Sequence, residues 1–258
     1  DFKSLIDEAH ELGLKVIIDW VANHTGWDHH WTKEHSDWYE KDAAGNFTEE
    51  NGWHDVIDLD YTNNNMRKAM IEAMQYWVNE CDIDGFRCDM AHLVPLDFWN
   101  EARIACDNIK KLFWLAECEN VEYHNVFDVT YAWEWMHVTE KYFQGNASLN
   151  HVYDVLHKYS QYPKDSKKLF FTTNHDENSW NGTEFEKYGD AHKAFAVFTQ
   201  TMYQSVPLIY SGQEEPNTKR LKFFVKDPIE WKKYSYAPFY KTLLTLALPK
   251  DPIGHSSN

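Results

Sequence analysis

The sequence predicts an α/β fold, a (β/α)8 TIM barrel with its third to eighth strands inside the chain, and three observations carry that prediction. Six apolar, β-branched or aromatic runs begin near residues 15, 85, 113, 126, 168 and 206, each followed by a stretch of helical periodicity, as in a parallel sheet covered by helices. Four stretches, DWVANHT (19–25), GFRCDMAH (85–92), LAECE (115–119) and TTNHDEN (172–178), set acidic, histidine or arginine residues at the end of an apolar run, and barrels build their sites at the C-terminal ends of successive strands. The competing doubly wound sheet usually carries a glycine-rich phosphate loop after its first strand, and neither G-x-G-x-x-G nor G-x-x-x-x-G-K-[ST] occurs. Six strands do not close an eight-stranded barrel. An N-terminally truncated barrel is therefore expected, with strands one and two and the first helix upstream of Asp1.

The elements follow in order. Residues 2–12 are amphipathic and stop at Gly13, and KVIIDW (15–20) is β-branched in the way a buried parallel strand requires. Residues 25–62, rich in Trp and His, are too long for an ordinary βα loop. They are expected to form a functional excursion, leaving 1–24 and 63–258 to the barrel. Met66, Met70, Ile71, Met74, Trp77 and Val78 recur at helical spacing over 65–80. The strand GFRCDM precedes a helix opened by Pro95 and running to about Lys110, and FWLAEC (113–118) is the next strand. NVFDVTY (125–131) is a strand, with helices over 134–143 and 149–159 behind it. KKLFFTTNHDE (167–177) is expected as a strand, AHKAFAVFTQTMYQ (191–204) as a helix, VPLIYSGQE (206–214) as the last strand and 237–248 as the last helix. No internal repeat, low-complexity tract or Pro/Gly linker interrupts the series.

At 258 residues with 43% hydrophobic content the chain can bury one large core. Lys and Arg number 25 against 41 Asp and Glu, a net charge of -16, which opposes nucleic acid and acidic lipid and favours a neutral substrate. With no stretch approaching 18 apolar residues, no membrane span is expected. Aromatic residues make up 16%; most serve packing, while flat amphipathic rings also stack on sugar faces. Cys81, Cys88, Cys106 and Cys118 have neither C-x-x-C nor zinc spacing and read as buried thiols, with Cys88 and Cys118 on the strand face opposite the neighbouring acid.

Asp89 follows Arg87 by two residues, so on a strand both side chains share a face and the guanidinium keeps the carboxylate ionised. That suits a nucleophile, and equally a structural salt bridge. Glu117 and Glu119 also share a face; a carboxyl among Trp114, Leu115 and other apolar neighbours would stay protonated as a general acid, and spacing does not choose between the two. Asp176, after His175, supplies a third carboxylate at the end of a later strand. A nucleophile and an acid on adjacent strands, about 5 Å apart, are what glycoside hydrolysis with retention requires. His24 and His175 are candidate donors to sugar hydroxyls, against the commoner structural role of a lone histidine.

In order and spacing, the four strand-end stretches resemble the signature regions of the alpha-amylase family, glycoside hydrolase family 13; VIDLDY (56–61) resembles its fifth region and VPLIYSGQE its last barrel strand. The resemblance implies Asp89 as nucleophile, Arg87 as the arginine holding it, Glu117 rather than Glu119 as acid/base, Asp176 as the third carboxylate, and His24 and His175 in the same subsite. Asp19 matches an aspartate of chiefly structural role. Asn23 and Asp58 match positions that in many members hold a structural calcium. His92 and Leu93 stand where many alpha-amylases have Lys and His, which bears on the reducing-side subsites and hence on substrate. Residues 25–62 become a short domain B whose Trp27, His29, His30, Trp31 and Trp53 are candidates to line the cleft, and no C-terminal β domain is expected within the chain. The implied activity is retaining hydrolysis of α-1,4 links in starch-like or maltooligosaccharide substrates. The alternatives are transglycosylation through the same intermediate and a non-catalytic carbohydrate-binding scaffold, which typically loses the carboxylates that are present here.

Overall fold

The computed structural model describes residues 1–247, so the expected last residue of the final helix, Leu248, lies outside the described residues. The chain forms two compact units, residues 1–130 and the residues from Tyr131 on.

In the first unit, helix α1 (Phe2–Glu11) buries Ile6 and ends where Gly13 turns to φ 75°, a left-handed conformation that costs glycine nothing. Strand β1 (Ile17–Trp20) follows. The excursion contains β2 (His24–Gly26), a single helical turn α2 (Trp31–Glu34) and β3 (Val56–Asp58), with β2 and β3 paired antiparallel. Helix α3 (Asn64–Cys81) starts on Asn63, whose side chain accepts the amides of Asn65 and Met66 and replaces intrahelical partners missing from the first turn. Its buried stripe is Met66, Met70, Met74, Val78 and Cys81, each apolar side chain contributing about 1.5–3 kcal/mol of transfer free energy. Strands β4 (Gly85–Cys88) and β5 (Phe113–Ala116) and helix α4 (Leu96–Asp107), opened by Pro95, complete this unit, and β6 (Val129–Tyr131) runs across its last residue.

The pairing is parallel and in step: Trp20 faces Cys88, and Cys88 faces Ala116. Two further ladder bonds, Asp89 N–H to the Trp20 carbonyl and Glu117 N–H to the Cys88 carbonyl, both 3.0 Å, carry the register past the strand ends. Position 89 and position 117 therefore leave the sheet at one level. At the opposite end, Asp84 accepts from His10 (2.7 Å), the Val16 amide (2.9 Å), Lys110 and Lys15. Burial opposes its charge, but the Val16 amide, His10, Lys110 and Lys15 outweigh it and hold the carboxyl at about 2. Fully buried Trp99 and Trp114, with Phe86 and Phe127, form the aromatic centre; burying a tryptophan contributes about 4–6 kcal/mol before ordering costs.

In the second unit, α5 (Trp133–Phe143) and α6 (Leu149–Ser160) precede β7 (Lys167–Phe170), and β7 pairs parallel with β8 (Ser205–Pro207). Between them lie α7 (His175–Trp180), α8 (Glu184–Tyr188) and α9 (His192–Gln200); α10 (Ala237–Ala247) follows β8. Three strand expectations need correction. The run expected over 125–131 is extended only as β6, because Val121–Asn125 form a 3-10 turn closed by the Val126 and Phe127 amides on the Tyr123 carbonyl. Residues 171–177 do not continue β7: Asn174 caps α7, its Oδ1 accepting the amides of Asp176 (3.0 Å) and Glu177 (2.8 Å), and this helix start ends the extended run. Residues 208–214 likewise leave β8, because the chain turns back with Gln213 N–H on the Tyr210 carbonyl and Asn217 N–H on the Gly212 carbonyl. Helix α8 was absent from the expected elements, although its capping box, Thr183 with Glu186, is legible as T-x-x-E. All four cysteines are free and buried, as expected.

Candidate active site

Arg87 is the centre of the arrangement in the first unit. It leaves β4 buried, and its Nη1 donates to both oxygens of Asp19 (2.8 and 3.0 Å) and to Asp89 Oδ1 (2.6 Å). Its Nη2 lies 2.7 Å from Glu117 Oε2. One guanidinium therefore joins carboxylates from the ends of three neighbouring strands, a task suited to its planar fork of donors. Asp19 is half exposed, Asp89 partly so, and Glu117 buried.

The expected Arg87–Asp89 contact is present. The expected surroundings of Glu117 are only half right: the carboxyl is buried, but its neighbours include a guanidinium and the Met90 amide, which donates to Oε2 at 2.9 Å. Met90 adopts φ 40°, in the left-handed region, where the chain turns out of β4. Sequence spacing gives no sign of this donor. Behind the acids, Cys88 and Cys118 are buried, and burial pushes the Cys88 thiol far up, as inert packing groups require.

His24 opens β2 and packs edge-on against Trp53, with ring centroids 5.3 Å apart. A hollow of about 450 Å³ is lined by His24, His29, His30 and Trp31 among others, whereas Trp27 and Trp53 are not among its lining. His92 is exposed on the turn three residues beyond Asp89. In the second unit, His175 and Asp176 occupy the first turn of α7, with Nε2 to Oδ2 at 3.3 Å. The next residue, Glu177, is buried and salt-bridged to the buried Lys187, which also reaches Glu140 at 3.2 Å, so that first turn is tied into the core. This support is invisible in sequence because its partners lie on other helices.

The calcium expectation meets an unsuitable donor set. Asn23 Nδ2 donates to Asp58 Oδ1 (3.1 Å), and Asp58 Oδ2 accepts the Glu50 amide (3.0 Å). The pair is used in fastening β2 to β3, and two side chains fall well short of the six to eight oxygens calcium takes. Among the described residues no group of three or more His, Cys, Asp or Glu is arranged to hold a metal ion.

Comparison with known proteins gives the same fold. The model of the alpha-amylase catalytic domain matches residues 1–237. The structure of an alpha-amylase from Lactobacillus plantarum, 32% identical, superposes with a TM-score of 0.86 over 96% of this chain and 63% of that one. A maltogenic alpha-amylase, AmyB from Thermotoga neapolitana, is 34% identical with a TM-score of 0.81 over 95% and 57%. Alpha-amylase MalA of Haloarcula japonica is 24% identical over 229 residues, 83% of this chain and 33% of the relative. The chain thus spans one third of the length of that curated relative.

Proposed function

Because the chain belongs to the alpha-amylase family, we propose that it carries the catalytic residues of a retaining α-glucan hydrolase acting on α-1,4 links of starch-like or maltooligosaccharide substrates. The observation that supports this reading best is the bridge Asp89–Arg87–Glu117, in which one guanidinium touches carboxylates from adjacent strand ends at 2.6 and 2.7 Å. Carboxyls gathered on one guanidinium at adjacent strand ends are compatible with the pair a retaining mechanism uses, a nucleophile and an acid/base about 5 Å apart.

In this reading Asp89 attacks the anomeric carbon while Glu117 delivers a proton to the departing glycosidic oxygen, leaving a glycosyl ester on Asp89. Glu117 then takes a proton from water, which attacks the same carbon and releases Asp89. Arg87 orients Asp89 throughout. For the first step, the leaving oxygen must replace the guanidinium as the partner of Glu117. Asp176, His175 and His24 are assigned to the sugar hydroxyls, where bonds that strengthen on ring distortion favour the transition state. His92 is assigned to the reducing side. No step passes through a metal ion.

Time-resolved product analysis on maltoheptaose tests the proposal. Linear glucans shorter than the substrate are expected from the first time points. Glu117→Gln should lower kcat about a thousandfold and Glu119→Gln only slightly. Early products longer than maltoheptaose would reassign the chain to glycosyl transfer, and equal losses at positions 117 and 119 would overturn the choice of acid/base.

A further inference from the structure

Trp180, Phe223 and Phe224 are conspicuous for what they leave uncovered. They are 55%, 45% and 73% exposed, whereas Trp99, Trp114 and Trp135 are fully buried. Their rings nonetheless form one cluster: Trp180 lies 5.2 Å from Phe223 and 6.0 Å from Phe224, and the phenylalanines are 5.0 Å apart. Together with Arg220, Leu221 and Lys222 they border a cleft of about 410 Å³, within the range of small-molecule sites. We propose that this cleft is an α-glucan-binding platform, holding sugar units next to one bound at Asp176; the proposal rests on the hydrolase reading above.

The loop bearing the platform is fastened to α7 at several points. Leu221 N–H donates to Asn178 Oδ1 (2.8 Å) and Arg220 Nη1 to the Trp180 carbonyl (3.4 Å), while the Lys222 amide closes the loop on itself at Asp227 Oδ2 (2.9 Å). A loop fastened in this way has less backbone freedom to lose on binding. Position supports the same ligand. Trp180 is four residues from Asp176 on α7, hence on the same helical face and about 6 Å further along, a step comparable to one pyranose ring. A chain held by hydroxyls at Asp176 thus meets a flat apolar surface next.

The chemistry is that of a neutral sugar. A pyranose offers an apolar face for a ring and hydroxyls at its edge, which Arg220 and Lys222 can meet as donors. An anionic ligand fits worse: Arg220 is paired with Glu186 at 2.9 Å, Lys219 with Asp227, and the chain carries a net charge of -16.

Equilibrium binding of maltoheptaose and maltotriose to the full chain, by calorimetry, tests the platform. Trp180→Ala, and separately the double variant Phe223→Ala/Phe224→Ala, should weaken maltoheptaose about tenfold and maltotriose less than about twofold, with the unfolding midpoint retained and Trp180→Phe restoring most of the affinity. Unchanged maltoheptaose affinity in both variants, or equal losses for the two sugars, overturns the platform. So does a dimer of the chain that Trp180→Ala dissociates without altering sugar affinity. Cleavage of maltoheptaose by the wild type with indistinguishable variants leaves the hydrolase reading standing without the platform. Trp180-dependent binding without cleavage leaves the platform standing without the hydrolase, and a wild type that neither binds nor cleaves overturns both.

Discussion

Arg87 binds three carboxylates with one side chain, and the residue-scale account rests on it. A lysine ammonium at the same place lacks the planar fork whose two nitrogens meet Asp19 and Asp89 on one side and Glu117 on the other. The two-residue spacing from Arg87 to Asp89 made their contact legible, since alternation puts both on one face. The contacts to Asp19 and Glu117 come from neighbouring strands, and no local pattern carries the register that delivers them. The Met90 amide was illegible for a different reason, because a backbone donor is available at every residue and only the turn out of β4 directs this one at Glu117. Charge state at buried positions is equally hidden. Glu184 is 2% exposed and its Oε1 has no hydrogen-bond partner, and burial pushes its carboxyl from 4.5 up to about 7. The native state therefore binds this proton more tightly than the unfolded chain, so stability associated with it is present below about pH 4.5 and lost as the pH rises through about 7. Glu184→Gln should remove that loss, raising stability at pH 8 by on the order of 3 kcal/mol relative to wild type while leaving it little changed at pH 4. Thermal midpoints of the two proteins across this range check it, and parallel pH profiles would contradict it.

Among the elements, those with strong periodicity were readable and those decided by a single cap or turn were not. The methionine stripe of α3 and the β-branched run of β1 follow from apolar spacing alone. Helix α7 did not, because TTNHDE continues an apolar strand in sequence while the Asn174 side chain converts it to a helix start. The consequence is chemical, since His175 and Asp176 sit on a helical turn instead of a strand end. At Gly85 the backbones of β4 and β5 leave no room for a side chain. A Cβ there would stand 2.1 Å from the Phe113 carbonyl oxygen and 2.9 Å from its carbon, so β4 and β5 keep their register only with glycine. Gly85→Ala should cost about 1–3 kcal/mol, read as a lower urea midpoint, and should reduce activity because the same register sets the level of Asp89 and Glu117. An unchanged midpoint would show that the strands absorb the added methyl.

For the molecule as a whole, composition narrowed the partners before any element was placed. A net charge of -16 disfavours polyanions, and among the described residues no helix is long and apolar enough to cross a membrane. The α/β alternation and parallel pairing were legible because both depend on patterns repeated along the chain. The division at residue 130 was not, since no linker composition marks it. The expected partition into barrel and excursion belongs to another level of description: residues 25–62 lie inside the first unit, with their own antiparallel pair. In the proposed mechanism Asp89 becomes covalently glycosylated. The most direct measurement is peptide mass mapping of the protein after incubation with a deactivated fluoro-sugar α-glucosyl fluoride, which slows release of the intermediate. One added glycosyl mass is expected, on Asp89 and absent from Asp89→Ala. A label confined to another carboxylate, or continued release of fluoride with no labelled peptide, would contradict it.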